Sequence, residues 1–172
     1  MNHVSMYLLT GISFAGKSVL AQALSQARGW KVIDPDAVAH EHGQGLHGEF
    51  LSDEQWAGIH QEAEQRAGAL LRAGESIIYD TTAVTRAERN ALRQLAFACG
   101  AYPILIYVKI DREEALRRWE ANKQTRERFL VHLDDFNMVA DHFQPPAPDE
   151  APLIYRSGED ISAWIQANIP PL

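Results

Sequence analysis

The chain has 172 residues, 46% of them hydrophobic and 23% charged, a balance that suits one globular domain and excludes extensive disorder. Its formal net charge of −7 disfavours a polyanionic partner, because long-range repulsion would have to be overcome by a local basic groove. Cys99 is the single cysteine, which excludes an intrachain disulfide and a thiolate metal cluster and makes the cytoplasm the expected compartment.

Residues 6–10 form an unbroken apolar run that stops at Gly11. It is short enough for a buried parallel strand, far too short to span a bilayer, and carries no cationic leader of the kind an export signal needs. Leu20, Ala23, Leu24 and Ala27 then recur at helical spacing over 17–28, with Gly29 as a C-terminal stop. A second, weaker strand is predicted over 31–34, followed by a polar stretch punctuated by Gly43, Gly45 and Gly48. Ser52 and Gln55 have capping-box spacing ahead of Trp56, Ile59, Ala63, Ala67, Leu70 and Leu71, with Gly74 closing that helix. Residues 76–80 read as a strand. Thr85 and Glu88 form another capping box before Leu92, Leu95 and Cys99, and Gly100 ends the helix. The strongest strand is 102–110, and Asp111 with Glu114 opens a further helix. A helix over 133–143 is stopped by Pro145 and Pro146, and a last strand and helix follow over 153–155 and 161–169. Strand and helix alternate, which predicts an α/β fold: a parallel sheet with helices on both faces, since each crossover must bury its apolar stripe on the sheet.

Gly11-Ile12-Ser13-Phe14-Ala15-Gly16-Lys17-Ser18 fits G-x-x-x-x-G-K-[ST] between a predicted strand and a predicted helix. An accidental match in a chain of this size is rarer than about one in a hundred at average residue usage. Glycine lets the backbone wrap a phosphate, its N–H groups and the helix N-terminus favour negative charge, and a lysine at this place reaches the β- and γ-phosphates. ATP and Mg²⁺ are therefore the expected cofactors. The cradle comprises Gly11, Ser13, Ala15, Gly16, Lys17, Ser18 and Val19, with Ser18 on the metal.

Phosphoryl transfer also needs a carboxylate near the metal and a group that deprotonates the attacking hydroxyl. Asp80 closes an apolar strand and is the expected second metal-side residue; its competing role is a helix N-cap. Asp34 and Asp36 flank Pro35 just beyond the second strand, where a carboxylate can face the γ-phosphate. Asp36 is preferred as base, with capping of a helix near Ala37 as its alternative. Asp34, Asp36, Asp80 and Thr81 are the candidate acceptor-side residues, although the hydroxyls of Thr81 and Thr82 can equally bond their own backbone.

Lys109, Arg112, Arg117, Arg118, Lys123, Arg126 and Arg128 crowd one region of an acidic chain. Glu113 with Arg117 and Glu114 with Arg118 have i, i+4 spacing and predict a solvated, salt-bridged helix face. Arg126 lies beyond that helix and is the preferred phosphate clamp on a lid over about 122–145. His40, His42 and His47 lack zincin spacing, so acceptor contact is the better expectation for them.

With the glycine loop, Asp34-Pro35-Asp36, the run from Tyr79-Asp80-Thr81-Thr82 to Arg89 and Phe143-Gln144-Pro145-Pro146, the chain resembles the P-loop kinases related to polynucleotide kinase, chloramphenicol phosphotransferase and zeta toxins. The resemblance runs over nearly the whole length. It implies a three-layer P-loop kinase fold with a five-stranded parallel sheet and a helical lid, ATP as donor, Mg²⁺, Asp36 as base and Arg126 as lid arginine. Members acting on nucleic-acid 5′ ends resemble a pattern with an arginine three residues after the base, where this chain has Ala39. The expected activity is thus an ATP-dependent kinase acting on a hydroxyl of a small-molecule acceptor, in a single domain over 1–172 that is a monomer or homodimer. Nucleic acid and membrane are not expected partners. A 5′-hydroxyl kinase of polynucleotides and a non-catalytic ATP-binding regulator are the alternatives. Asn122-Lys123-Gln124-Thr125 lacks the acid of a guanine-reading motif, which favours adenine.

Overall fold

The computed structural model describes residues 3–44, 51–125 and 131–171. Five strands form one sheet in the order β2-β3-β1-β4-β5, and every neighbouring pair is parallel. Strand β1 (Ser5–Thr10) is at the centre, between β3 (Ile77–Tyr79) and β4 (Tyr102–Lys109). The edges are β2 (Lys31–Ile33) and β5 (Leu153–Arg156). All six residues of β1 are buried, as a strand covered on both faces requires.

Period-two alternation along β1 divides the core in two. Tyr7 and Leu9 point to one face, where they pack with α1 (Lys17–Arg28), α5 (Arg112–Thr125), α6 (Leu133–His142) and α7 (Ile161–Asn168) through Leu20, Leu24, Trp119, Phe136 and Trp164. Met6 and Leu8 point to the other, against α2 (Pro35–Glu41), α3 (Asp53–Arg72) and α4 (Arg86–Ala98) through Val38, Ile59, Ala63, Ala67, Leu92 and Ala96. The expected three layers are present. Both expected capping boxes form: Ser52 Oγ accepts the Gln55 N–H at 3.2 Å, and Thr85 Oγ1 accepts that of Glu88 at 3.2 Å. Gly29 takes φ 69°, the left-handed conformation that closes α1.

Two features place the site. The N–H of Asp80 donates to Ile33 O at 2.8 Å, which ties the ends of β2 and β3 together. Helix α6 docks through the fully buried Phe136, whose ring lies 6.4 Å from those of Phe14 in the glycine loop and Trp119 on α5.

Candidate active site

The glycine loop leaves β1 at the sheet's C-terminal edge and runs into α1. Its backbone visits positive φ at Gly11 (151°), Phe14 (63°) and Gly16 (98°), and α1 begins with Gly16 as a cap that has no side-chain hydrogen bond. No side chain of the cap residue covers the first N–H groups of α1, a geometry that in general suits an anion. Lys17 is buried, and its ammonium donates to the loop carbonyls of Gly11 at 3.0 Å and Ile12 at 2.9 Å. The head group is thus folded back on the loop.

A cleft of about 700 Å³ opens beside this loop, lined by Ser13, Gly16, Lys17, Ser18 and Val19 on one side and by Asp34, Asp36, Asp80 and Thr81 on the other. Of the expected cradle, Gly11 and Ala15 lie beneath this surface. The Gly11 N–H is committed to Thr82 O at 3.2 Å, and the Ala15 side chain is fully enclosed. Arg126, Arg128 and His47, like Gly45 and Gly48, fall outside the described residues.

The carboxylates have separate tasks. Asp34 is the N-cap of α2, its Oδ1 accepting the Asp36 N–H at 2.9 Å. Asp36 sits in the first turn of that helix, so the capping alternative considered for it belongs to Asp34 instead: Pro35 takes the first helical position, which sets the cap one residue before it. Asp80 caps no helix, since α4 starts at Arg86 under Thr85; its side chain stays at the strand end and is buried. Desolvation by the neighbouring groups raises the pKa of Asp36 although the residue keeps solvent exposure, and the Asp80 charge raises it further, with Lys17, His60 and His40 opposing. Burial likewise raises Asp34, helped by the charge of Asp36 and opposed by the N–H donors of Asp36 and Ala37. His42 pairs with Glu62 on α3 at 2.7 Å, outside the cleft lining. Among the described residues no group of three or more His, Cys, Asp or Glu side chains is arranged to hold a metal by itself.

The basic helix differs from expectation. Arg117 pairs with Glu114 at 2.6 Å, not with Glu113, because Glu114 takes both following arginines. Arg118 is more than a solvated face: its Nη1 donates to Ser157 Oγ at 2.9 Å and to Phe14 O at 3.4 Å. It lines a second cleft of about 390 Å³ on the other side of the loop, together with Val19, Asn122, Tyr155, Gly158 and Ile161. Helical spacing alone could not separate this arginine from Arg117, because only the docking of β5 behind α5 brings Ser157 within reach.

The family model described as AAA domain matches residues 6–146. The chain belongs to this family. The AAA domain match runs from β1 through the whole glycine loop, the three carboxylates and α6. Solved structures with the same fold include a candidate kinase from Chloroflexus aurantiacus J-10-fl, at TM-score 0.78 and 19% identity over 98% of this chain and 100% of that one. A gluconokinase from Sinorhizobium meliloti 1021 gives 0.68 and 16% over 96% and 90%. An APS kinase from Mycobacterium tuberculosis, solved with AMPPNP and APS, gives 0.68 and 18% over 98% and 97%. At these identities the likeness is one of fold, a kinase-like P-loop architecture. A search of curated protein sequences gives no match. No helix among the described residues of this AAA domain is long and apolar enough to cross a membrane.

Proposed function

We propose that this AAA domain is an ATP-dependent kinase that transfers the γ-phosphoryl group to a hydroxyl of a small acceptor. One observation carries the reading: the anion-binding loop with Lys17 and Ser18 shares a cleft with Asp34, Asp36 and Asp80. Each chain segment supplies one requirement of phosphoryl transfer. The loop amides and Lys17 hold the β- and γ-phosphates, the ammonium exchanging its two loop carbonyls for phosphate oxygens. Asp36 accepts the proton of the acceptor hydroxyl as its oxygen attacks the γ-phosphorus. The bond from that phosphorus to the bridging oxygen breaks, and ADP leaves. A carboxyl with a raised pKa is a stronger base than an ordinary aspartate, which suits this task.

Ser18 and Asp80 offer hard oxygen donors in the same cleft and would hold Mg²⁺. That ion supplies charge neutralisation on the phosphates. The second cleft, walled by Arg118, Tyr155 and Ile161 next to Gly16, suits the adenine ring: it is partly apolar and adjacent to the glycine loop. The acceptor side carries Asp34 and Asp36 with neutral Gln22 and Gln26, and Lys17 is the one cationic side chain among the described residues lining it. Neutral or cationic hydroxyl compounds fit that lining better than a polynucleotide end, with its adjacent phosphates. The gluconokinase and the APS kinase of like fold both act on small molecules, which is consistent with this reading.

The test is ADP release from ATP and Mg²⁺ in the presence of hydroxylated metabolites, antibiotics, nucleosides and 5′-hydroxyl oligonucleotides. Acceptor-dependent release with a small molecule is expected. Hydrolysis indifferent to every acceptor would point to a nucleotide-binding regulator, and salt-sensitive turnover with oligonucleotides to a polynucleotide kinase.

A further inference from the structure

Arg89 is completely enclosed on the core face of α4, in register with Leu92 and Ala96. Burying a guanidinium is unfavourable unless its donors are matched. Nε and Nη2 donate to the two carboxylate oxygens of Glu150, each at 2.8 Å, in a bidentate pair. Glu150 stands in the short 3₁₀ turn Pro148–Glu150 and is itself held by the Ala147 N–H at 3.0 Å and Arg93 Nη1 at 3.3 Å. The pair would be complete there. Nη1 reaches further, to Ala83 O at 3.2 Å and Gln144 O at 2.9 Å.

Those two carbonyls belong to segments with other ties. Ala83 follows Asp80, Thr81 and Thr82 and holds φ 41°, a conformation that persists in a non-glycine residue only where its surroundings enforce it. Its carbonyl also accepts the Thr10 hydroxyl at 3.0 Å, and Thr10 is the last residue of β1 before the glycine loop. Gln144 follows α6; its N–H donates to Val84 O at 2.9 Å, and its side chain accepts the Arg86 N–H at 3.0 Å. The segment after β3 is therefore gripped on one side by the start of the glycine loop and on the other by the chain leaving α6, with Arg89 beneath both.

We propose that Arg89 is a positioning residue: by joining Ala83 O to Gln144 O it locks the segment that presents Asp80 and Thr81 to the phosphates onto the chain leaving α6, so that the two keep one spacing. The catalytic consequence rests on the kinase reading above; the locking itself does not. Charge neutralisation of Glu150 would need Nε and Nη2 alone, whereas the two Nη1 bonds cross between elements that share no strand pairing.

The decisive variant is Arg89→Met combined with Glu150→Leu, because a buried ion pair can be replaced by apolar residues of similar volume without loss of the fold. Amide hydrogen exchange without nucleotide, together with calorimetry of ATP with and without Mg²⁺, gives the readout. Loss of two carbonyl bonds is expected to speed exchange about tenfold in 80–85 and 143–147, with β4 unchanged. The gain in ATP affinity on adding Mg²⁺ should shrink by a like factor, while metal-free affinity is retained. Native exchange in both segments of the folded double variant would overturn the proposal, and so would a uniform rise across the sheet. Should that variant fail to fold, Arg89→Lys serves instead: it keeps a cation opposite Glu150, yet its single head group cannot span both carbonyls. Faster exchange confined to the same two segments is again the expected result, and wild-type exchange there would overturn the proposal. Exchange decides the role of Arg89 even if the wild-type protein transfers no phosphate, so the two readings fail separately.

Discussion

At the scale of single residues, Lys17 and Asp36 divide the proposed work between holding the donor and activating the acceptor. Lys17→Ala is expected to weaken ATP binding and lower turnover about a hundredfold or more, since the ammonium that would exchange its two loop carbonyls for phosphate oxygens is lost. Asp36→Asn keeps the shape of the first turn of α2 and should retain ATP, while acceptor-dependent turnover falls about 10²- to 10⁴-fold. Calorimetry and steady-state kinetics on the two variants check the division; equal loss of ATP binding in both would refute it. Gly11 and Ala15 do not line the cleft and belong to the packed base of the loop. Gly11 is needed because a Cβ there would lie 2.6 Å from Val108 O, at a φ of 151° that other residues rarely adopt.

At the scale of elements, that glycine is where the loop leaves the β1–β4 pairing. Gly11→Ala should therefore cost roughly 1–3 kcal/mol in stability and also displace the loop, read as a lower denaturant midpoint together with weaker ATP binding. The capping boxes make a contrasting case. Thr85→Ala removes the acceptor for the Glu88 N–H and should lower stability by about 1 kcal/mol, measurable by urea unfolding. The bounds of α3 and α4 were legible because cap chemistry is local: Ser52, Gln55, Thr85 and Glu88 act within one turn. The surroundings of Arg118 were not, because Phe14 and Ser157 reach it from 104 and 39 residues away. Arg89 stood in the run that carries the resemblance, but its partner was not legible for the same reason: Glu150 lies 61 residues away.

At the scale of the whole molecule, the Arg89–Glu150 pair links α4 to the stretch between α6 and β5, and it gives the fold a pH dependence. The guanidinium beside it holds the Glu150 carboxyl at about 2, below its usual 4.5. A carboxyl lowered on folding contributes stability that is fully present above 4.5 and is lost as pH falls toward 2. Guanidinium unfolding across that window should show a falling midpoint, and Glu150→Gln should start less stable and lose that part of the slope. A single truncation, Glu150→Ala, leaves a buried charge unmatched and should destabilise by roughly 3–5 kcal/mol.

The sequence by itself determined the α/β alternation, the glycine loop between β1 and α1 and the carboxylates just beyond β2 and β3, because each is written in contiguous residues through periodicity, capping or a spaced motif. Only the tertiary structure decided which strand lies next to which. Placing β3 between β1 and β2 brings Asp80, Asp34 and Asp36 into one cleft with Lys17. Strand order follows from how helices on two faces share the burial of one twisted sheet, an energy spread over the whole core and carried by no short segment.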